Sequence, residues 1–312
     1  MIDLGLVVAR LLHYAAVTTL AGVSFFPLYA LADAEPIALL RWRQGVLLAT
    51  AIAVLLSGIL WFVFSVANMS GTLADVADRE VLWTVLNETT FGRVWMARML
   101  LAVIILSVIS KRFASTAGPR PNWIVPFLTG ALLASLAGVG HSQIEEGVAG
   151  VIHMTSDAAH LLAAGAWLGG LLPLGYVLLL HDRERGRSAR RSGLNEILLR
   201  FSGMGYVAVA TLIGSGLING WFLIGNFSSL FATPYGQLLI VKLVLFAGML
   251  ALAVSNRFWI VSSLTKARAD DPNGSTAWTA RLRNHVLGEQ FLGWMVLLIV
   301  SVLGTMRPAI GQ

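Results

Sequence analysis

Three residues of one stretch, His153, Asp157 and His160, are spaced i, i+4, i+7. On a helix this spacing holds all three within about 60° of arc, on one face. They also form a ladder. His153 and His160 lie about 10.5 Å apart along a helix axis, too far for one ion to bond both when a metal–nitrogen bond is about 2 Å. Adjacent rungs can share an ion, which predicts an outer station at His153 and Asp157 and an inner one at Asp157 and His160. His13 joins the inner station by repetition: Ala16 and Gly22 follow His13 at the spacing at which Ala163 and Gly169 follow His160. His141 and Met154 fall near the entrance to this route. Imidazole suits Cu, Zn or Ni, and a thioether adds a preference for Cu(I). The chain has no Cys, which excludes disulfides, iron–sulfur clusters and thiolate metal sites.

The elements that carry these residues must lie in lipid. Of 312 residues, 57% are hydrophobic and 12% charged, with a mean hydropathy of +0.77. That composition cannot supply a polar exterior, so a soluble globular protein is excluded. A spanning helix needs about 20 apolar residues. Eight stretches qualify, roughly 4–31, 45–66, 92–110, 123–140, 150–180, 199–224, 236–261 and 285–306. The first begins after Met-Ile-Asp with no basic n-region and reads as a retained span rather than a cleaved signal. Basic residues crowd the connections after spans one, three, five and seven, for example Arg41 and Arg43, Lys111 and Arg112, Arg183 to Arg200, and Arg281 and Arg283. The positive-inside rule then places both termini on the outer face. It also accounts for the net charge of +6, so nucleic acid is set aside as a partner.

The chain also repeats itself. Thr90-Phe91-Gly92-Arg93 with Arg98 parallels Pro234-Tyr235-Gly236-Gln237 with Lys242, matching span three to span seven. Ser57-Gly58 matches Ser215-Gly216, and Ser135 with Gly138 loosely matches Ser301 with Gly304. The predicted fold is therefore all-α: a polytopic membrane protein of eight transmembrane helices in two parallel four-helix repeats, 1–145 and 146–312. With span one starting near residue 4, His13 lies roughly 13 Å deep, near the midplane, and His160 reaches a similar depth. A pseudo-twofold axis along the membrane normal would bring the two histidines together.

A charged side chain at membrane depth is costly and faces the bundle interior with a partner or a function. Arg10, Arg98, Lys242 and Glu289 are such residues, expected to line the pathway or to form ion pairs. Arg10 holds the repeat position of Asp157, which also fits a structural ion pair between the two, with Arg98 and Lys242 as alternative partners. For Glu289 a cytoplasmic salt bridge is the expected role, an exit lining the other. Trp167 reads as core. No glycine-rich phosphate loop, Gly-x-Ser-x-Gly elbow or His-Glu-x-x-His is found, so the reading is of a non-enzyme.

The segment Asp157-Ala-Ala-His160-Leu-Leu-Ala-Ala-Gly-Ala-Trp167-Leu-Gly169-Gly170, with Gly140-His141-Ser142, Thr233-Pro-Tyr235-Gly236, Lys242 and Asn256-Arg257, resembles the CopD-type copper resistance and homeostasis proteins of bacteria. The resemblance covers about residues 138–305 well and the first half more loosely. It implies an eight-span inner-membrane protein that takes copper, as Cu(I) or Cu(II), from the periplasm and moves it across the inner membrane, often beside a small soluble CopC-type copper-binding partner. On that expectation His13, His141, His153, Asp157 and His160 are the metal-handling residues and the lipid bilayer is the solvent. The alternative is a redox protein in which His13 and His160 are the axial ligands of a b-type haem.

Overall fold

The computed structural model describes residues 1–32, 35–114, 123–139, 147–183, 191–260 and 275–311, and His141 lies outside the described residues. Among these the chain is helical, with no strand. The helices in order are α1 (Ile2–Ala30), α2 (Ile37–Ser70), α3 (Arg79–Glu88), α4 (Thr90–Ala114), α5 (Ile124–Ala134), α6 (Gly147–Ala164), α7 (Gly170–Arg183), α8 (Arg191–Ile224), α9 (Ser229–Ala232), α10 (Pro234–Ser255) and α11 (Ser275–Leu303). A π turn, Gly165–Gly169, joins α6 to α7 into one continuous helical stretch, and a second, Asn256–Ile260, ends α10.

Seven of these helical stretches are long and apolar enough to cross a membrane: Ile2–Ala30, Ile37–Ser70, Thr90–Phe113, Gly147–His181, Gly193–Ile224, Pro234–Trp259 and Ala277–Leu303. At 1.5 Å per residue even the shortest, of 24 residues, exceeds a hydrocarbon core of about 30 Å. The remaining predicted stretch forms a shorter apolar helix, Ile124–Val139, whose last turn tightens to a 3₁₀ form. The protein is thus a multi-pass membrane protein with seven long candidate spans and one short apolar helix. Its outer surface carries exposed Leu56, Leu100, Val207, Leu217 and Val244, which suits a lipid environment.

Burial is uneven. The apolar window of α1 is 67% buried and that of the α6–α7 stretch 56%, whereas that of α10 is 6%. The two central helices are those that carry His13 and His160. Around them lie two core clusters. One gathers residues of α1, α2, α4 and α5, including Leu20, Val54, Ile105 and Leu132. The other is built on α7, α8 and α11, including Leu171, Leu178, Leu212 and Leu282, and takes in Phe26, Ala30 and Leu39.

The centre closes on glycine. A side chain at Gly22 would collide with the backbone of Gly165 and Gly169, and one at Gly169 would collide with the backbone of Thr18 and Gly22. Without hydrophobic drive between apolar helices in lipid, such close backbone approach is what packing energy rests on. The contact is reciprocal: Gly22 and Gly169 match in the sequence repeat, as do Thr18 and Gly165. The repeat also recurs in local chemistry. Thr89 accepts from Gly92 N at 2.9 Å to open α4, and Thr233 accepts from Gly236 N at 3.1 Å to open α10. Each threonine hydroxyl also donates four residues back, to Val85 O at 2.6 Å and Ser229 O at 2.8 Å. Arg93 and Gln237 each donate to the carbonyl six residues earlier, of Asn87 and Phe231.

Candidate functional site

His13 is fully buried on α1. Its Nε2 lies 2.8 Å from Arg98 Nη2 on α4, and its Nδ1 lies 3.1 Å from Ser57 Oγ on α2. Arginine has no acceptor, so Nε2 must accept and the ring proton sits on Nδ1, donated to Ser57. Ser57 passes its own proton to Val54 O at 3.2 Å. His13 is therefore neutral, and both its nitrogens are engaged. Its ring also packs on Trp61, centroid to centroid 5.3 Å.

Arg98 is buried with it. Nη1 donates to Leu132 O at 3.0 Å and to Ser135 Oγ at the end of α5, while Nε is buried with no hydrogen-bond partner. All three acceptors around this guanidinium are neutral groups.

His160, the repeat counterpart, is held by the equivalent serine and differs at its other nitrogen. Nδ1 lies 2.9 Å from Ser215 Oγ on α8, whose single proton goes to Thr211 O. The serine must then accept from Nδ1–H, which leaves Nε2 as a lone pair with no hydrogen-bond partner among the described residues. Lys242, which stands where Arg98 stands in the first half, acts on His160 electrostatically and makes no hydrogen bond to it. Asp157, one turn before His160, accepts from Asn219 Nδ2 at 3.3 Å and interacts electrostatically with Lys242. The ring of His153 is buried and stacks on Phe222 at 4.8 Å.

Several expected juxtapositions are not made. His13 and His160 share neither a hydrogen bond nor a ring contact: serines on α2 and α8 orient each ring within its own helix group. A haem sandwiched by both would need both Nε2 atoms to face one gap, and that of His13 is taken by Arg98. No group of three or more His, Asp and Glu residues close enough to hold a metal occurs among the described residues. The ion pair between Arg10 and Asp157 is not formed either. Arg10 lies over the Trp61 ring, 5.6 Å from its centroid, with Nε and Nη1 buried and unpartnered. Met154 is 46% exposed and points away from the buried face of α6, because i+1 falls about 100° around the helix from His153.

For Glu289 sequence reasoning expected an interior position but not the partners it has. Glu289 on α11 forms no salt bridge among the described residues: it accepts from Asn256 Nδ2 at 2.6 Å and Trp167 Nε1 at 3.3 Å. Both donors sit in π turns, which rotate them out of ordinary helical register. The available signal was the polar Asn256-Arg257 pair ending an otherwise apolar stretch.

The comparisons fall on this framework. Residues 1–151 match the family described as "Copper resistance protein D-like, N-terminal domain", and residues 195–303 match "Copper resistance protein D". "Copper resistance protein D" of Pseudomonas syringae pv. tomato is 31% identical over 309 residues, 97% of this chain and 96% of the relative. The chain belongs to the copper resistance protein D family. "Inner membrane protein YebZ" of Escherichia coli (strain K12) is 34% identical over 230 residues, 73% of this chain and 72% of the relative. "Copper transport protein CutJ" of Bacillus subtilis (strain 168) is 33% identical over 253 residues, 78% of this chain and 44% of the relative. No solved structure matches the chain. As a member of this family with seven long apolar helices, the protein is a multi-pass inner-membrane protein.

Proposed function

We propose that this copper resistance D family protein takes copper from the periplasmic side and moves it across the inner membrane, using His160 as its central intramembrane ligand. The observation that carries the reading is the state of that ring. Ser215 holds it as the Nδ1–H tautomer, and the Nε2 lone pair is left without a hydrogen bond one turn from the carboxylate of Asp157. A neutral imidazole with its second nitrogen fixed by a hydroxyl is the form a metal requires. His153 and Asp157 form the station before it, with His141 at the entrance. Lys242, interacting with Asp157, offsets that carboxylate when no cation is present. The names of the relatives, copper resistance and copper transport, supply the cargo class.

In this reading His13 plays the structural part of the repeat. Its bonds to Arg98 and Ser57 tie α1 to α4 and α2, and the metal passes on the His160 side. The architecture is eight spans, with Ile124–Val139 as the fourth, in two parallel four-helix repeats, 1–145 and 146–312. Both termini are periplasmic in this reading, which the basic connections support. A soluble CopC-type protein is the proposed donor on that side.

Metal analysis of detergent-purified protein, together with copper accumulation in cells expressing each variant, tests the reading. His160→Ala should abolish bound copper and accumulation, while His13→Ala that still folds should retain both. Equal copper in His160→Ala and wild type would end it.

A further inference from the structure

Glu289 is bonded by Trp167, about two turns along the same helical stretch from His160, and the mechanism above does not use it. It is 2% exposed. Its carboxylate meets two neutral donors, Asn256 Nδ2 on Oε1 and Trp167 Nε1 on Oε2. The titratable and charged groups on the surrounding elements are few. On α11, His285 is one turn away, with Nδ1 buried and unpartnered. On the turn that ends α10, Arg257 follows Asn256, with Nε buried and unpartnered. On α7 there are Tyr176 and His181, and on α1 Tyr29, whose hydroxyl donates to Ala166 O at 2.9 Å. None of these forms an ion pair with Glu289. A carboxylate in such a place is strongly penalised as an anion, and a proton relieves it.

The surroundings suit both forms. With both oxygens accepting, the ionised carboxylate is matched by two N–H donors. Asn256 is itself buried, and its Oδ1 has no hydrogen-bond partner. Rotating that amide by half a turn exchanges Nδ2 for Oδ1 opposite Oε1, turning a donor into an acceptor at the same place. A protonated carboxyl can then donate O–H to Asn256 while Trp167 still donates to Oε2.

We propose that Glu289 is a proton-binding site, with Asn256 the side chain that reorients to accept either form. The step is one of proton transfer alone: Oε1 gains or loses H⁺, and nothing is oxidised or reduced.

The test uses the full chain in lipid nanodiscs without added metal, by infrared difference spectroscopy between about pH 5 and about pH 8. Wild type should show the C=O band of a protonated carboxylic acid at the acid end, and Glu289→Gln should lose it. Trp167→Phe keeps the carboxyl and removes the donor to Oε2, so the band should move to higher frequency. Identical difference spectra for wild type and Glu289→Gln, or a band that Trp167→Phe leaves in place, overturn the proposal. Because no copper is present, this failure is separate from failure of the His160 reading.

Discussion

Arg98 donates to Nε2 of His13 at 2.8 Å, and that bond separates two histidines that the sequence presents as equivalents. Both rings are held at Nδ1 by a serine, Ser57 in one case and Ser215 in the other. Of the two, only His160 keeps a second nitrogen free of hydrogen bonds among the described residues. Replacement of an arginine by Lys242 in the second half makes the difference, because an ammonium lacks the planar fork that spans His13, Leu132 and Ser135 together.

Removing the fork should therefore convert His13. In Arg98→Met the buried charge disappears along with its bonds to neutral acceptors. The desolvation saved offsets the bonds lost, so stability should stay within about 1 kcal/mol of wild type. His13 Nε2 is then open, and metal analysis should find more copper per chain than in wild type. Unchanged copper content in a folded Arg98→Met protein counts against the assignment of roles to the two histidines.

Ser215→Ala removes the acceptor that fixes the His160 tautomer while leaving the imidazole. Loss of such an outer partner should weaken copper affinity by about 10–100-fold, read by competition with a copper chelator. Ser57→Ala, made as the control, should leave affinity as it was, since the ring it holds is engaged by Arg98.

Gly22 and Gly169 meet backbone to backbone. Gly22→Leu or Gly169→Leu should each cost at least about 1–3 kcal/mol, seen as a lower melting temperature in detergent. The double variant should depart from additivity by about 0.5–3 kcal/mol, because one displacement of α1 accommodates both side chains. Two independent, additive losses would mean that the helices are not apposed there.

The long helices were legible because lipid forces each span to be apolar throughout, and because the repeat marks corresponding places. Thr89 and Thr233, Ser57 and Ser215, and Gly22 and Gly169 all recur in the coordinates in matching contacts. The fourth stretch, expected at about 123–140, is found as Ile124–Val139, the shortest of the apolar helices. Illegible altogether was the direction in which each ring nitrogen points. Spacing places His13 and His160 at one depth, but whether they meet depends on where α2, α4 and α8 carry their polar side chains. The partners of Glu289 were hidden for a related reason: Trp167 and Asn256 lie 122 and 33 residues away in sequence, each turned by a local widening of the helix that no periodicity predicts.

The glycine contact at the centre has a mechanical consequence. A seam of bare backbone has no rotamers to rearrange, so sliding or rocking along it would open voids that nothing nearby can fill. α1 and the turn beyond α6 act as a fixed axle. In the proposed transport, movement falls to the outlying helices, above all α10, whose apolar window is only 6% buried.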